Sequence, residues 1–130
     1  MEAIRENIPK ITEFVDAELE KLDCGVKAQM SIDIAMDEIL ANISRYAYAP
    51  GTGMVEVSVD HDAQERVAVI SFRDSGVPFD PLQREEPDTT LSAEKREIGG
   101  LGIFLVRKTM DAVEYRHEDG FNVLTIRKRI

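Results

Sequence analysis

At Met54 the apolar side chains of this chain stop recurring every three or four residues and begin to alternate. The pattern returns to the longer spacing near Ile98 and alternates again after Asp111. A helix needs a period of 3.6 and a strand a period of 2, so these switches set the order of elements before any motif is considered. "ENIPKITEFVDAELEKLDCG" reads as a first helix, with Asn7 as its cap, Pro9 in its first turn and Gly25 at its end. Its apolar stripe is Ile8, Ile11, Phe14 (with Val15) and Leu22. A second helix runs from about Val26 to Ala47, with Ile32, Ala35, Met36, Ile39, Leu40 and Ile43 on one face. "YAPGTG" breaks it. "MVEVSVD" and "ERVAVISFRD" are strands joined at "HDAQ". From Ser75 to about Ile98 there is proline and charge without periodicity, the mark of a lid or a disordered loop. "GGLGIFLVRKTMD" forms a third helix with Ile103, Val106 and Met110 on one face. "AVEYRHEDGFNVLTIRKR" is a hairpin turning at Asp119-Gly120. This order predicts one mixed or antiparallel sheet with helices on one face.

Composition narrows the function. The 130 residues suffice for one domain with a single core, and 43% hydrophobic with 32% charged residues describes a folded protein. A net charge of −9 argues against direct nucleic-acid binding and against an anionic membrane surface. No apolar run reaches membrane-spanning length, and "MEAIRENIPK" lacks a signal peptide's apolar stretch, so the expected location is the cytoplasm. The single cysteine, Cys24, excludes an intrachain disulfide and reads as a small buried apolar residue. His61 and His117 have no carboxylate cluster at ligand spacing, so no transition-metal site is expected. Phe72, Phe79, Phe104 and Phe121 read as core or pocket wall.

Three segments carry candidate chemistry. In "DEILANISRYAY", residues 37–48, Glu38 and Asn42 stand one helical turn apart at the edge of the apolar arc. A carboxylate over an amide there can grip a cation and a phosphate together; taken alone, the pair also suits the polar border of an amphipathic helix. "RDSGVPFDP", residues 73–81, brings Asp74 out of the longest strand into a turn where Gly76 gives backbone room. "IGGLGIFLV", residues 98–106, opens a helix with glycines whose free N–H groups accept phosphate. It is neither a Walker loop nor a Rossmann fingerprint.

Together these segments resemble the motif set of the GHKL (Bergerat-fold) ATPases. "DEILANISRYAY" is similar to the N box with its E-x-x-x-N core, and "DSGVPFDP" to the first glycine box. "GGLGIFLVRKTMD" is similar to the second glycine box, and "NVLTIRKR" to the closing threonine-bearing strand. Order and spacing agree over nearly the whole chain. Within that superfamily the motifs are most similar to the anti-sigma-factor serine kinases of bacteria.

The resemblance implies an α/β (α+β) two-layer sandwich: one kinase domain over residues 1–130, about three helices on one sheet face, and an ATP lid at about residues 80–98. It implies ATP and Mg²⁺ as cofactors. Glu38 would be the general base for a substrate serine, and Asn42 would coordinate Mg²⁺. Asp74 would accept a hydrogen bond from the adenine amine, Gly76 would let the ring pack closely, and Thr125 would support Asp74 through water. Gly100, Leu101 and Gly102 would line the triphosphate, with Lys95 or Arg96 as an added positive charge or a solvated lid face. The implied partners are a sigma factor and a small anti-anti-sigma (STAS) protein, and relatives often form homodimers. Two departures stand out. The first strand is shortened or absent, and Tyr46 stands where several relatives have histidine, for packing or nucleotide stacking. A nucleotide-gated binding module without kinase activity is the alternative. A detached histidine-kinase catalytic domain is a weaker one, since no phospho-accepting helical domain precedes the motifs.

Overall fold

The computed structural model describes residues 1–48, 51–78 and 100–130. The expected lid, with Lys95 and Arg96, lies outside the described residues, as do Pro50 and Phe79 and the side chain of Phe104.

Helix α1 spans Ile8–Lys21 and α2 spans Val26–Asn42; one π-helical turn, Ile43–Ala47, continues α2. Strands β1 (Val55–Asp62) and β2 (Val67–Asp74) precede α3 (Gly100–Thr109), and β3 (Ala112–Glu118) and β4 (Phe121–Arg129) follow it. The sheet order is β1-β2-β4-β3, antiparallel at every described pairing. The expected sandwich is therefore present.

The three helices cover one sheet face. Ala68, Ile70 and Phe72 of β2 alternate into that layer and are fully buried, opposite Leu124 and Ile126 of β4. Burial on this scale stabilises by about 1.5–3 kcal/mol per large apolar side chain. Ile32, Ala35, Met36, Ile39 and Leu40 of α2 meet them as the helical spacing requires.

On α1 the inward residues are Ile11, Val15 and Leu19, whereas Phe14 is 49% exposed. Phe14 and Val15 are adjacent apolar residues, so only one of them can face the core. Asn7 takes the N-cap position of α1, as expected, but its side chain makes no capping bond: Nδ2 donates to the Glu2 carbonyl at 2.9 Å. Past the helix end it is Asp23, not Gly25, that adopts left-handed backbone, at φ 56°. The first strand is reduced to one bridge between Glu2 and Met54, flanked by Ala3 N–H donating to Gly53 O at 2.7 Å. No helix among the described residues is long and apolar enough to cross a membrane.

Candidate functional site

Asn42 closes α2 and is buried, at 6% exposure. Its Oδ1 is enclosed and has no hydrogen-bond partner among the described residues. A buried acceptor left in that state costs about 1–3 kcal/mol and calls for an explanation. Glu38, one turn earlier, is half-buried on the same ridge.

The π-helical turn after Asn42 ends at Ala47, whose carbonyl accepts from Val77 N–H at 2.9 Å. Such turns are frequent at functional sites. The contact fastens the turn after β2 to the end of α2. Gly76 makes it feasible: a Cβ there would lie 2.2 Å from the Ala47 carbonyl oxygen, an approach only glycine allows. The close packing expected of Gly76 is thus, in the structure, against backbone. Tyr48 braces the same turn, its hydroxyl accepting from Ser75 N–H at 2.8 Å and donating to the Met54 carbonyl. Tyr46 is half-buried in the π-helical turn.

Asp74 ends β2 with its carboxylate buried, facing the helical layer. Its Oδ1 accepts from Gly76 N–H at 2.9 Å and from Asn122 Nδ2 at 3.0 Å. Asn122 lies directly opposite on β4, also donates to the Val77 carbonyl at 2.9 Å, and accepts from the Tyr115 hydroxyl. Among the described residues both bonds to Asp74 fall on Oδ1.

Thr125 does not fill the supporting role expected of it. It pairs with Ser71, three positions from Asp74 on β2, and meets the Ser71 hydroxyl at 3.2 Å. Successive strand residues point to opposite faces, so an odd offset puts Ser71 and Thr125 on the sheet face away from the helices. There Arg73 stacks on the Phe121 ring, 3.7 Å from its centroid. Of the two places expected for Phe121, it takes the pocket wall and not the core, lining a pocket with Met54, Arg73 and Ser75. Asn122, to which the motifs assign no role, supports Asp74 directly. Its place after the Asp119-Gly120 turn, one pair from the strand end, was the available signal.

Gly100, Leu101 and Gly102 form the first turn of α3, and α3 packs beside α2. Backbone N–H groups at that end are unpaired by the helix and attract anions. Cys24 is half-buried, packs on the core and donates to the Gly25 carbonyl at 3.5 Å. Burial first, then the carboxylates of Asp33 and Asp16, push its thiol up, away from the reactive thiolate. No group of three or more His, Cys, Asp or Glu side chains placed to hold a metal ion occurs among the described residues. A magnesium ion needs less: one protein oxygen and phosphate oxygens suffice. The unpartnered Oδ1 of Asn42 fits that requirement.

A helix end offering a bare amide oxygen, beside a helix that begins on glycines, is suited to a metal-bound phosphate chain. A buried, pre-oriented aspartate across from it is suited to a base bearing an amine. Those two capacities define an ATP-binding domain. The chain belongs to the histidine kinase-like ATPase domain family, whose profile matches residues 1–128. It is 29% identical to the serine/threonine-protein kinase BtrW of Bordetella bronchiseptica over 103 residues, 78% of this chain and 71% of that protein. It is 30% identical to the serine-protein kinase RsbW of Bacillus thuringiensis over 135 residues, 95% of this chain and 82% of that protein. RsbW of Listeria monocytogenes is 30% identical over 97 residues, 72% of this chain but only 61% of that protein. The family resemblance of the motifs is borne out, and the kinases among its relatives place the chain in the kinase branch of the family.

Proposed function

We propose that the chain is an ATP-dependent protein-serine kinase that also acts as an anti-sigma factor, and that the protein it phosphorylates is a small STAS-type anti-anti-sigma protein. The observation that carries the reading is the buried, unpartnered Oδ1 of Asn42 one turn from Glu38. The relatives, named as serine/threonine- and serine-protein kinases, support a protein serine as the phosphate acceptor.

Asn42 would hold Mg²⁺, which when bound neutralises phosphate charge. The free oxygen of Asp74 accepts from the adenine amine, because Asn122 and Gly76 N–H already hold the other. The N–H groups of Gly100, Leu101 and Gly102 receive phosphate oxygens at the start of α3. Glu38 takes the proton of the acceptor serine as the serine oxygen bonds to the γ-phosphorus. The bond from that phosphorus to the β-phosphate oxygen breaks, and ADP leaves with the electron pair. Positioning and charge neutralisation supply most of the acceleration in such a transfer.

Labelled ATP incubated with the chain and candidate STAS proteins should yield phosphoserine. Glu38→Ala should lower transfer about 10²–10⁴-fold and leave nucleotide affinity unchanged. Equal loss of both would remove Glu38 from its role. ATP-dependent partner binding without phosphoserine would make the chain a nucleotide-gated binding module instead.

A further inference from the structure

Helix α2 carries a ridge of side chains four residues apart that runs from solvent into the site. Val26, Met30 and Ile34 are 75%, 60% and 59% exposed, Glu38 is half-buried, and Asn42 is 6% exposed. Side chains at this spacing form a continuous ridge inclined to the helix axis. Large apolar groups standing this far out of a helix otherwise well matched to its core are unexplained by the fold. Beside the ridge a groove of about 490 Å³ opens between the three helices, lined by the apolar Ile8, Ile34 and Leu105 and by the charged Arg5, Asp37 and Glu38. Leu105 of α3 is itself 45% exposed. Glu38 thus faces two ways: its helical neighbour Asn42 belongs to the nucleotide side, while its own side chain lines this groove.

We propose that the ridge and groove dock the phosphoacceptor protein: an apolar patch of that protein covers Met30, Ile34 and Leu105, and a serine at the patch's edge reaches Glu38. The proposal rests on the kinase reading above. Continuity favours this occupant, because anything seated on Ile34 lies one helical turn from Glu38. Area favours it too. The exposed parts of Val26, Met30, Ile34 and Leu105 amount to roughly 400 Å², half of what each side of a stable complex usually buries. That suits a substrate that binds, reacts and leaves, and is too little for a permanent dimer.

The probe is a purified STAS-type protein that the wild-type chain phosphorylates. Its KM, the turnover at saturation and the nucleotide Kd are measured for Met30→Glu, Ile34→Ala and, as a control outside the groove, Phe14→Ala. Both ridge variants should raise the acceptor KM about tenfold, the effect of one lost apolar anchor, with turnover at saturation and nucleotide Kd unchanged. Phe14→Ala should match wild type. Wild-type KM in both ridge variants, with phosphorylation intact, overturns the docking site alone. Loss of a dimer in place of loss of acceptor affinity also overturns it, assigning the ridge to a second copy. If the wild-type chain binds nucleotide but phosphorylates no serine, the kinase reading fails and the docking proposal with it.

Discussion

Asn122 donates to Oδ1 of Asp74 at 3.0 Å across the β2–β4 pairing, and both side chains are buried. The bond joins the strand that ends at the site to the strand that closes the sheet. Tyr115 on β3 donates to the same Asn122, so three strands converge on one carboxylate. An acceptor held this way keeps one oxygen aimed before any ligand arrives, which removes an ordering cost from binding.

Asn122→Ala should therefore cost about 1–3 kcal/mol of stability, because it takes one acceptor from the half-buried Tyr115 hydroxyl and one donor from the buried Asp74 carboxylate. It should also weaken adenine-nucleotide binding. Thr125→Val loses only the contact with Ser71 on the far face, so it should cost about 1 kcal/mol and leave nucleotide affinity unchanged. Urea unfolding and nucleotide calorimetry on the two variants test the assignment; a larger binding defect in Thr125→Val would reverse it.

Gly76→Ala places a methyl group 2.2 Å from the Ala47 carbonyl oxygen, which is backbone and cannot swing away. The turn after β2 must separate from the end of α2, at a cost of about 1–3 kcal/mol. The expected result is a lower Tm together with weaker nucleotide binding, since the same turn positions Asp74.

Asn42→Ala should separate function from stability. Removing a buried amide whose oxygen is unpartnered should leave stability unchanged or raise it by about 1 kcal/mol. Nucleotide affinity should at the same time stop responding to Mg²⁺. Titrations with and without the ion, beside a thermal melt, read both effects; a strong Mg²⁺ response in the variant would place the metal elsewhere.

Asp33 on α2 should make stability depend on pH. Burial first, then the hydrogen bond and charge of Asp16, then the charge of Asp37, raise its pKa from 3.8 to about 7. The unfolded chain loses this proton near the ordinary value while the folded chain holds it, so the site's contribution falls as pH rises through that interval and is level above it. Asp33→Asn should be more stable than the native chain at pH 8 and lose most of that advantage near pH 4. Urea midpoints at the two pH values decide; an advantage that grew on acidification would contradict the sign.

The sequence by itself determined the element types and their order, because core-facing side chains must recur at the period of the backbone that carries them. Ile32, Ala35, Met36, Ile39 and Leu40 could face a core only from a helix, and Val55, Val57 and Val59 only from a strand. The E-x-x-x-N spacing of Glu38 and Asn42 and the glycines of α3 were legible for the same local reason.

Choices between equivalent faces and contacts between distant segments were decided only by tertiary structure. Strand β4 is apolar on both faces around Val123, Leu124 and Ile126, so its sequence does not say whether Asn122 or Thr125 faces the helices. Pairing with β2 decides that, since Ile70 and Phe72 are buried and carry Asp74 and Asn122 to their side. Phe14 against Val15, Ala47 against Gly76 and Asp16 against Asp33 were settled likewise, by packing between segments that share no local pattern. Periodicity is a property of one stretch of backbone, whereas register and close approach belong to two.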